Sequence, residues 1–386
     1  MTLSMKTDTG EAGALARRFV MPPFTVLDGR SGAWLDRKRA WLSLGIEGEV
    51  QAVGRAANLA FNTTDFIKQT AGPTDATWVA GTSVFDPVLT ECLIEWFCPP
   101  GGHILDPFAG GSVRGIVASL LQRQYTGIEL RPEQVAANEV QRQKVLQKPT
   151  PDLQWICGDS ATTLSTLTTP VDFILTCPPY GDLEVYGDDP RDLSVKASKD
   201  HAAFLSVYRS ILVDATKLLQ PDRFVVIVVG DYRDKRGFYR NFTGETVAAA
   251  EAAGLHYYNE AILVNPAGTL PIRVTAQMRT SRKLGRCHQT VLIFVKGDPR
   301  KATQACLLNA PEELGYKDLP TISKPKRGNT RRNISVGVAT KLQNETPIGD
   351  GRVRVEDSVA VGTKPGELGC QGDGGGPITD SHVTFE

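Results

Sequence analysis

Apolar positions along this chain fall into two regimes. Short runs that are apolar almost throughout, at 103–106, 125–130, 152–157, 171–176, 223–230, 256–264 and 290–296, predict strands. Runs apolar without alternation, 171–176 and 223–230 above all, predict parallel strands buried on both faces. Between them, stretches at 88–97, 113–124, 132–146, 201–219 and 242–253 carry helical spacing. The order strand, glycine turn, helix, strand, acidic residue, helix, strand predicts an α/β fold: a doubly wound, mostly parallel sheet of seven strands. Asp86-Pro87 opens the first of these helices, with Asp86 as its cap and Pro87 in its first turn.

Outside this region the pattern weakens. Residues 1–20 are small and polar and read as a tail. In 22–46, Trp34 and Trp41 stand at helical spacing around Asp36, Arg37, Lys38 and Arg39. That is either a short amphipathic helix with its charged face in solvent or an arm that touches DNA or a partner chain. Residues 47–75 read as an irregular connector, and 265–288 as a polar, basic loop. Beyond Lys301 periodicity fades, and from about 323 onward disorder is expected. The organisation expected is an N-terminal extension over 1–79, the α/β domain over 80–300 and a mostly disordered tail over 301–386.

Composition narrows the class. At 41% hydrophobic and 22% charged, the 386 residues suffice for a full core. Formal net charge is zero, so affinity for nucleic acid must come from local patches. Seven cysteines show no C-x-x-C and no cluster with histidine, which speaks against a zinc site and a disulfide framework. With neither a signal-peptide core nor an 18-residue apolar run, a cytoplasmic protein is expected.

The chemistry gathers at strand ends. Asp106-Pro107-Phe108-Ala109-Gly110-Gly111-Ser112 leaves little side-chain bulk above the first core strand, so a ligand can approach the backbone. It lacks the G-x-G-x-x-G spacing and the lysine of a phosphate-binding turn. Glu129, at the end of the next strand, suits ribose hydroxyls, and Gly158-Asp159 after the third suits an adenine amino group. A ligand with ribose and adenine but no pyrophosphate fits S-adenosylmethionine better than NAD. After the fourth strand comes Thr176-Cys177-Pro178-Pro179-Tyr180. Its two prolines remove backbone donors and leave carbonyls free to accept hydrogen bonds, beside an aromatic ring. Such a turn suits a flat base with an exocyclic amino group.

The glycine turn followed by the Cys-Pro-Pro-Tyr turn resembles the S-adenosylmethionine-dependent DNA amino-methyltransferases, which methylate adenine N6 or cytosine N4. The resemblance covers about residues 80–297 and implies a Rossmann-like methyltransferase domain. It implies cofactor contacts from Phe85, Asp106, Pro107, Phe108, Ala109, Gly110, Gly111, Glu129 and Asp159. It implies that Cys177, Pro178, Pro179 and Tyr180 receive a flipped base. The family's usual first residue there is Asp, Asn or Ser; Cys177 is closest in size to serine, and Ser-Pro-Pro-Tyr resembles the cytosine-N4 members. The motif of the cytosine-C5 enzymes places cysteine after proline, whereas Cys177 precedes it, which disfavours a covalent cysteine.

Double-stranded DNA is the implied partner, with or without a companion restriction endonuclease. Arg273, Arg279, Arg282, Lys283 and Arg286 in 265–288 are read as backbone contacts, and the aromatic-interleaved segment 231–242 adds Arg236. Residues 181–200, with Tyr186 and several aspartates, are read as a lid or recognition element. The rivals are an RNA amino-methyltransferase and a methyltransferase fold that binds nucleic acid without catalysis.

Overall fold

Val26–Asp28 forms β1 at one edge of an eight-stranded sheet whose order is β1-β7-β8-β6-β5-β2-β3-β4. The remaining strands are β2 His103–Asp106, β3 Gln124–Glu129, β4 Leu153–Cys157, β5 Phe173–Thr176, β6 Arg223–Val229, β7 His256–Val264 and β8 His288–Lys296. The computed structural model describes residues 19–46, 85–146, 151–183, 188–268 and 270–307, all within the unit Met1–Ser323. The expected tail before residue 19, the connector 47–75, Tyr186 and the stretch from 323 onward lie outside the described residues.

Pairing is parallel except at β8, which runs antiparallel between β6 and β7. The chain order reverses at β2: β3 and β4 extend one way, β5 and β6 the other. Ligands of doubly wound sheets bind at such a switch point, beyond the carboxyl ends of the strands. The sheet is therefore the doubly wound α/β arrangement the apolar runs predict, with one strand more than the seven expected. The extra strand, β1, pairs Leu27 with Leu263 on β7.

Alternate side chains serve two cores. Ile104, Phe173 and Val226 face one, and Leu105, Ile174 and Val225 the other. Helices α1 Gly32–Ser43, α2 Pro87–Phe97, α3 Val113–Leu120 and α4 Pro132–Val145 belong to the first face. Two short segments, α5 Ser160–Thr163 and α6 Leu193–Lys199, precede α7 His201–Leu218, which with α8 Phe242–Ala252 covers the second. Helix α7 buries Phe204, Tyr208, Ile211, Leu212 and Ala215 along one stripe. Each large apolar side chain so buried contributes roughly 1.5–3 kcal/mol. Asp200 caps it, accepting from the amides of Ala202 and Ala203. No described helix is long and apolar enough to cross a membrane.

Several expectations need correction. Helix α1 does not present its whole charged face to solvent. Trp34 and Trp41 are buried; Arg37 pairs with the fully buried Glu91, and Lys38 with Asp86 at 2.9 Å. Part of the expected N-terminal extension is thus built into the core. The loop 265–288 contains a helix, α9 Leu270–Ser281, with no buried residue. Without a buried face it has no apolar stripe to announce it. The polar segment 181–200 ends in α6, capped by Asp192. The last helix among the described residues, α10 Pro299–Leu307, runs past the expected domain boundary at 300 and buries Ala302.

Candidate active site

A cavity of about 400 Å³ opens over the carboxyl ends of β2, β3, β4 and β5. Two turns form its floor. The first follows β2 and is fixed by Asp106, which is fully buried. One carboxylate oxygen of Asp106 accepts from the Phe108 amide at 3.1 Å and the Thr176 hydroxyl at 2.6 Å. The other accepts from Arg114 Nε at 2.5 Å and the Tyr125 hydroxyl at 2.8 Å. Arg114 also donates to the carbonyls of Phe108 and Ala109 and lies 4.5 Å from the centre of the Phe85 ring. Burial works against the Arg114 charge, but neighbouring Asp106 more than offsets it and raises the pKa. Burial pushes the Tyr125 hydroxyl well up as well.

Gly110 closes this turn in the left-handed region, φ +51°, where a side chain would strain the backbone. Its amide donates to Glu129 at 3.0 Å, and its carbonyl accepts from Asn138 at 2.8 Å. Glu129 also accepts from the backbone amide and Nε of Arg131. Burial pushes the Glu129 carboxyl up, partly countered by Arg131. At the end of β4, Asp159 spends Oδ1 on the amide of Ala161, capping α5. Its Oδ2 has no hydrogen-bond partner among the described residues, and the residue lines the cavity. Ser160 ties this end to the glycine turn through the Pro107 carbonyl at 2.6 Å.

The second turn follows β5. Thr176, the residue before Cys177, is the one bonded to Asp106, so the two turns are joined at their roots. Cys177 Sγ lies 3.3 Å from the Tyr180 hydroxyl, which accepts from Gln289 Nε2 at 3.0 Å. The Pro179 carbonyl accepts from the Gly181 amide at 3.0 Å. The Pro178 carbonyl accepts no hydrogen bond among the described residues.

Phe85, Pro107, Phe108, Gly110, Glu129, Asp159 and the whole Cys177–Tyr180 turn line this one cavity. Asp106, Ala109 and Gly111 do not line it: Asp106 sits beneath, with both oxygens occupied, and Ala109 is fully buried. Lining residues that the sequence reading overlooked are Lys38, Arg114, Arg131, Arg191, Asn265 and Gln289. Lys38 arrives from α1 and Gln289 from β8, distant in sequence and marked by no local motif. Arg114, two residues past the glycine turn, could have been found there.

The basic residues stand apart from the cavity. Arg273, Arg279 and Arg282 are exposed on or just after α9. Lys283 approaches the turn at Gly237, and Arg236 lies 5.5 Å over the ring of Phe238. Arg286 is instead an internal tie: it pairs with Asp231 at 3.2 Å and donates to the His288 carbonyl and the Thr290 hydroxyl. Its charge is thus shared with Asp231, unlike those of Arg273, Arg279 and Arg282, for which no ion pair is found among the described residues.

Sheet order, helices on both faces and a cavity at the switch point define a Rossmann-like α/β protein. Residues 82–140, which include Phe85, the glycine turn and Glu129, match the family described as DNA methylase. A 63-residue stretch is 43% identical to the Type II methyltransferase M.XycI of Xanthomonas campestris pv. cyanopsidis; it covers 16% of this chain and 21% of that protein. The match therefore spans about a fifth of that relative's length. Both findings support the DNA amino-methyltransferase class of N4 and N6 enzymes. Solved structures with a related arrangement include a methyltransferase from Pyrococcus furiosus, 13% identical over 62% of this chain and 98% of that one, TM-score 0.38. Another is TrmN from Thermus thermophilus, 17% identical over 55% of this chain and 49% of that one, TM-score 0.36.

Proposed function

We propose that the protein transfers a methyl group from S-adenosylmethionine to the exocyclic amino group of a base flipped out of double-stranded DNA, cytosine N4 or adenine N6. The observation that carries this reading is the Thr176–Asp106 bond. It holds a turn that presents the Pro178 carbonyl and the Cys177 sulfur beside a nucleoside-type pocket in a single cavity.

The donor set fits the cofactor. Glu129 offers a carboxylate to the ribose hydroxyls, and Asp159 Oδ2 an acceptor to the adenine amine. Lys38, paired with Asp86, and Arg114, paired with Asp106, stand on the wall with Phe85, where the amino-acid end of the cofactor would lie. When bound, S-adenosylmethionine supplies an electrophilic methyl group. The protein's part is positioning, which accounts for a large share of such a barrier. Tyr180 stacks on the base, its hydroxyl steadied by Gln289. The Pro178 carbonyl and the Cys177 sulfur accept the two amine hydrogens, leaving the nitrogen lone pair unengaged. The turn itself carries no carboxylate or imidazole, so the proton released passes to solvent. Arg273, Arg279, Arg282 and Lys283 on and after α9 grip the DNA backbone.

Two assays on the full chain test this: calorimetric binding of S-adenosylhomocysteine, and transfer of labelled methyl from S-adenosylmethionine to unmethylated duplex DNA or to total RNA. Binding with label in DNA is the expected result. Label confined to RNA, or binding with no label in either, would overturn it.

A further inference from the structure

A second concavity, of about 320 Å³, begins where the Cys177–Tyr180 turn leaves the active-site cavity: Tyr180 lines the first and Asp182 the second. Between them stands Gly181, φ +60°, where a Cβ would lie 2.1 Å from the Tyr232 hydroxyl. Only glycine lets Tyr232 pack this closely, so the wall of the second concavity is continuous with the turn of the first.

Its charge is unbalanced. Lys199, Lys235, Arg236 and Arg240 face it, against Asp182 and Asp234. Asp234 is spent on its own loop: Oδ1 accepts from the amides of Arg236 and Phe238, and Oδ2 lies 3.5 Å from Arg236 Nε. Among the described residues, Lys199, Lys235 and Arg240 have no carboxylate within 4 Å. His201 and Tyr232, hydrogen-bonded to each other at 3.2 Å, complete the wall with polar groups. On the same loop stand Phe238 and Tyr239, 65% and 46% exposed, with Arg236 and Arg233 over their rings. Four cations against two carboxylates on one concavity leave an excess of positive charge, a cost that a bound anion relieves. Exposed rings beside cations suit the sugar–phosphate chain.

We infer that this concavity holds a phosphodiester of the DNA strand whose base enters the active-site cavity, so that base and phosphate are gripped on either side of Gly181. The inference rests on the proposed function.

It is tested with the full chain by anisotropy of a labelled, unmethylated duplex DNA of mixed sequence over a salt series. Lys199→Gln with Arg240→Gln is expected to weaken binding about tenfold at low salt and to flatten the log–log salt slope by about 0.9, the loss of one phosphate contact. Affinity for S-adenosylhomocysteine stays unchanged. Arg240→Lys alone keeps the slope, and so does Lys301→Gln beside Asp222, at the amino end of β6 and so at the end of the strands away from the cavity. An unchanged slope in the double variant, or an equal loss in Lys301→Gln, overturns the inference. If thermal melting shows that Arg240→Gln does not fold, Lys199→Gln with Lys235→Gln, both exposed, gives the same reading. A wild-type protein that binds neither DNA nor S-adenosylhomocysteine removes the functional reading itself. One that binds both while the variant matches it removes only this inference.

Discussion

The hydroxyl of Thr176 donates to the carboxylate of Asp106 across 2.6 Å, joining two turns that lie 70 residues apart in the chain. Asp106 is fully buried and answers four donors. Thr176→Val keeps the shape and removes one of them. A single buried hydrogen bond is worth about 1 kcal/mol. The variant should lose about that much stability in a urea titration, while both S-adenosylhomocysteine affinity and methyl-transfer rate fall. A fall in rate with affinity intact would show that the two turns act independently.

Cys177 is read as an acceptor of serine size, with its sulfur 3.3 Å from the Tyr180 hydroxyl. Cys177→Ser should then retain transfer within about threefold, and Cys177→Ala should lose about five- to tenfold in kcat, one hydrogen bond's worth. Loss of all activity in Cys177→Ser, measured by steady-state kinetics, would point to a covalent sulfur instead.

If Glu129 holds the cofactor as proposed, binding should depend on pH through its carboxyl. Burial raises its carboxyl pKa in the folded protein. Its contribution to stability is therefore present below the unfolded carboxylate pKa and lost as pH rises through the folded value. Ligand hydroxyls favour the charged form, so affinity should move the other way and weaken as pH falls through that raised value. Calorimetry of S-adenosylhomocysteine across this window should show the decline in wild type. Glu129→Gln should bind about tenfold more weakly and lose the pH dependence.

Glu91 anchors α1. It is fully buried and accepts from Arg37 and from Trp41 Nε1 at 2.8 Å. Arg37 is a quarter exposed, so solvent softens the loss of its partner. Glu91→Ala should still cost about 3 kcal/mol in chemical denaturation, the low end for breaking a buried pair. Because α1 also carries Lys38 to the cavity, S-adenosylhomocysteine affinity should fall with it.

What the sequence disclosed follows from how local each signal is. The apolar runs fix the inner strands because a strand buried on both faces must be apolar throughout. The two turns were legible because proline and glycine act on the backbone where they stand. Strand β1 was not: three residues, one of them buried, pair with β7 more than 200 residues away. Helix α9 was not, because no apolar stripe marks an element with nothing buried. Arg286 looked like its basic neighbours, and only the fold brings Asp231 to it. Asp106 looked like a ligand, and only the fold surrounds it with Arg114, Tyr125 and Thr176.

The most direct test of amino-methylation is nucleoside mass spectrometry of duplex DNA treated with the protein and labelled S-adenosylmethionine, run beside Tyr180→Ala. The account predicts labelled N4-methylcytosine or N6-methyladenine from wild type and neither from the variant, whose affinity for S-adenosylhomocysteine is retained. Labelled 5-methylcytosine, or an amino-methylated base still formed by Tyr180→Ala, would contradict it.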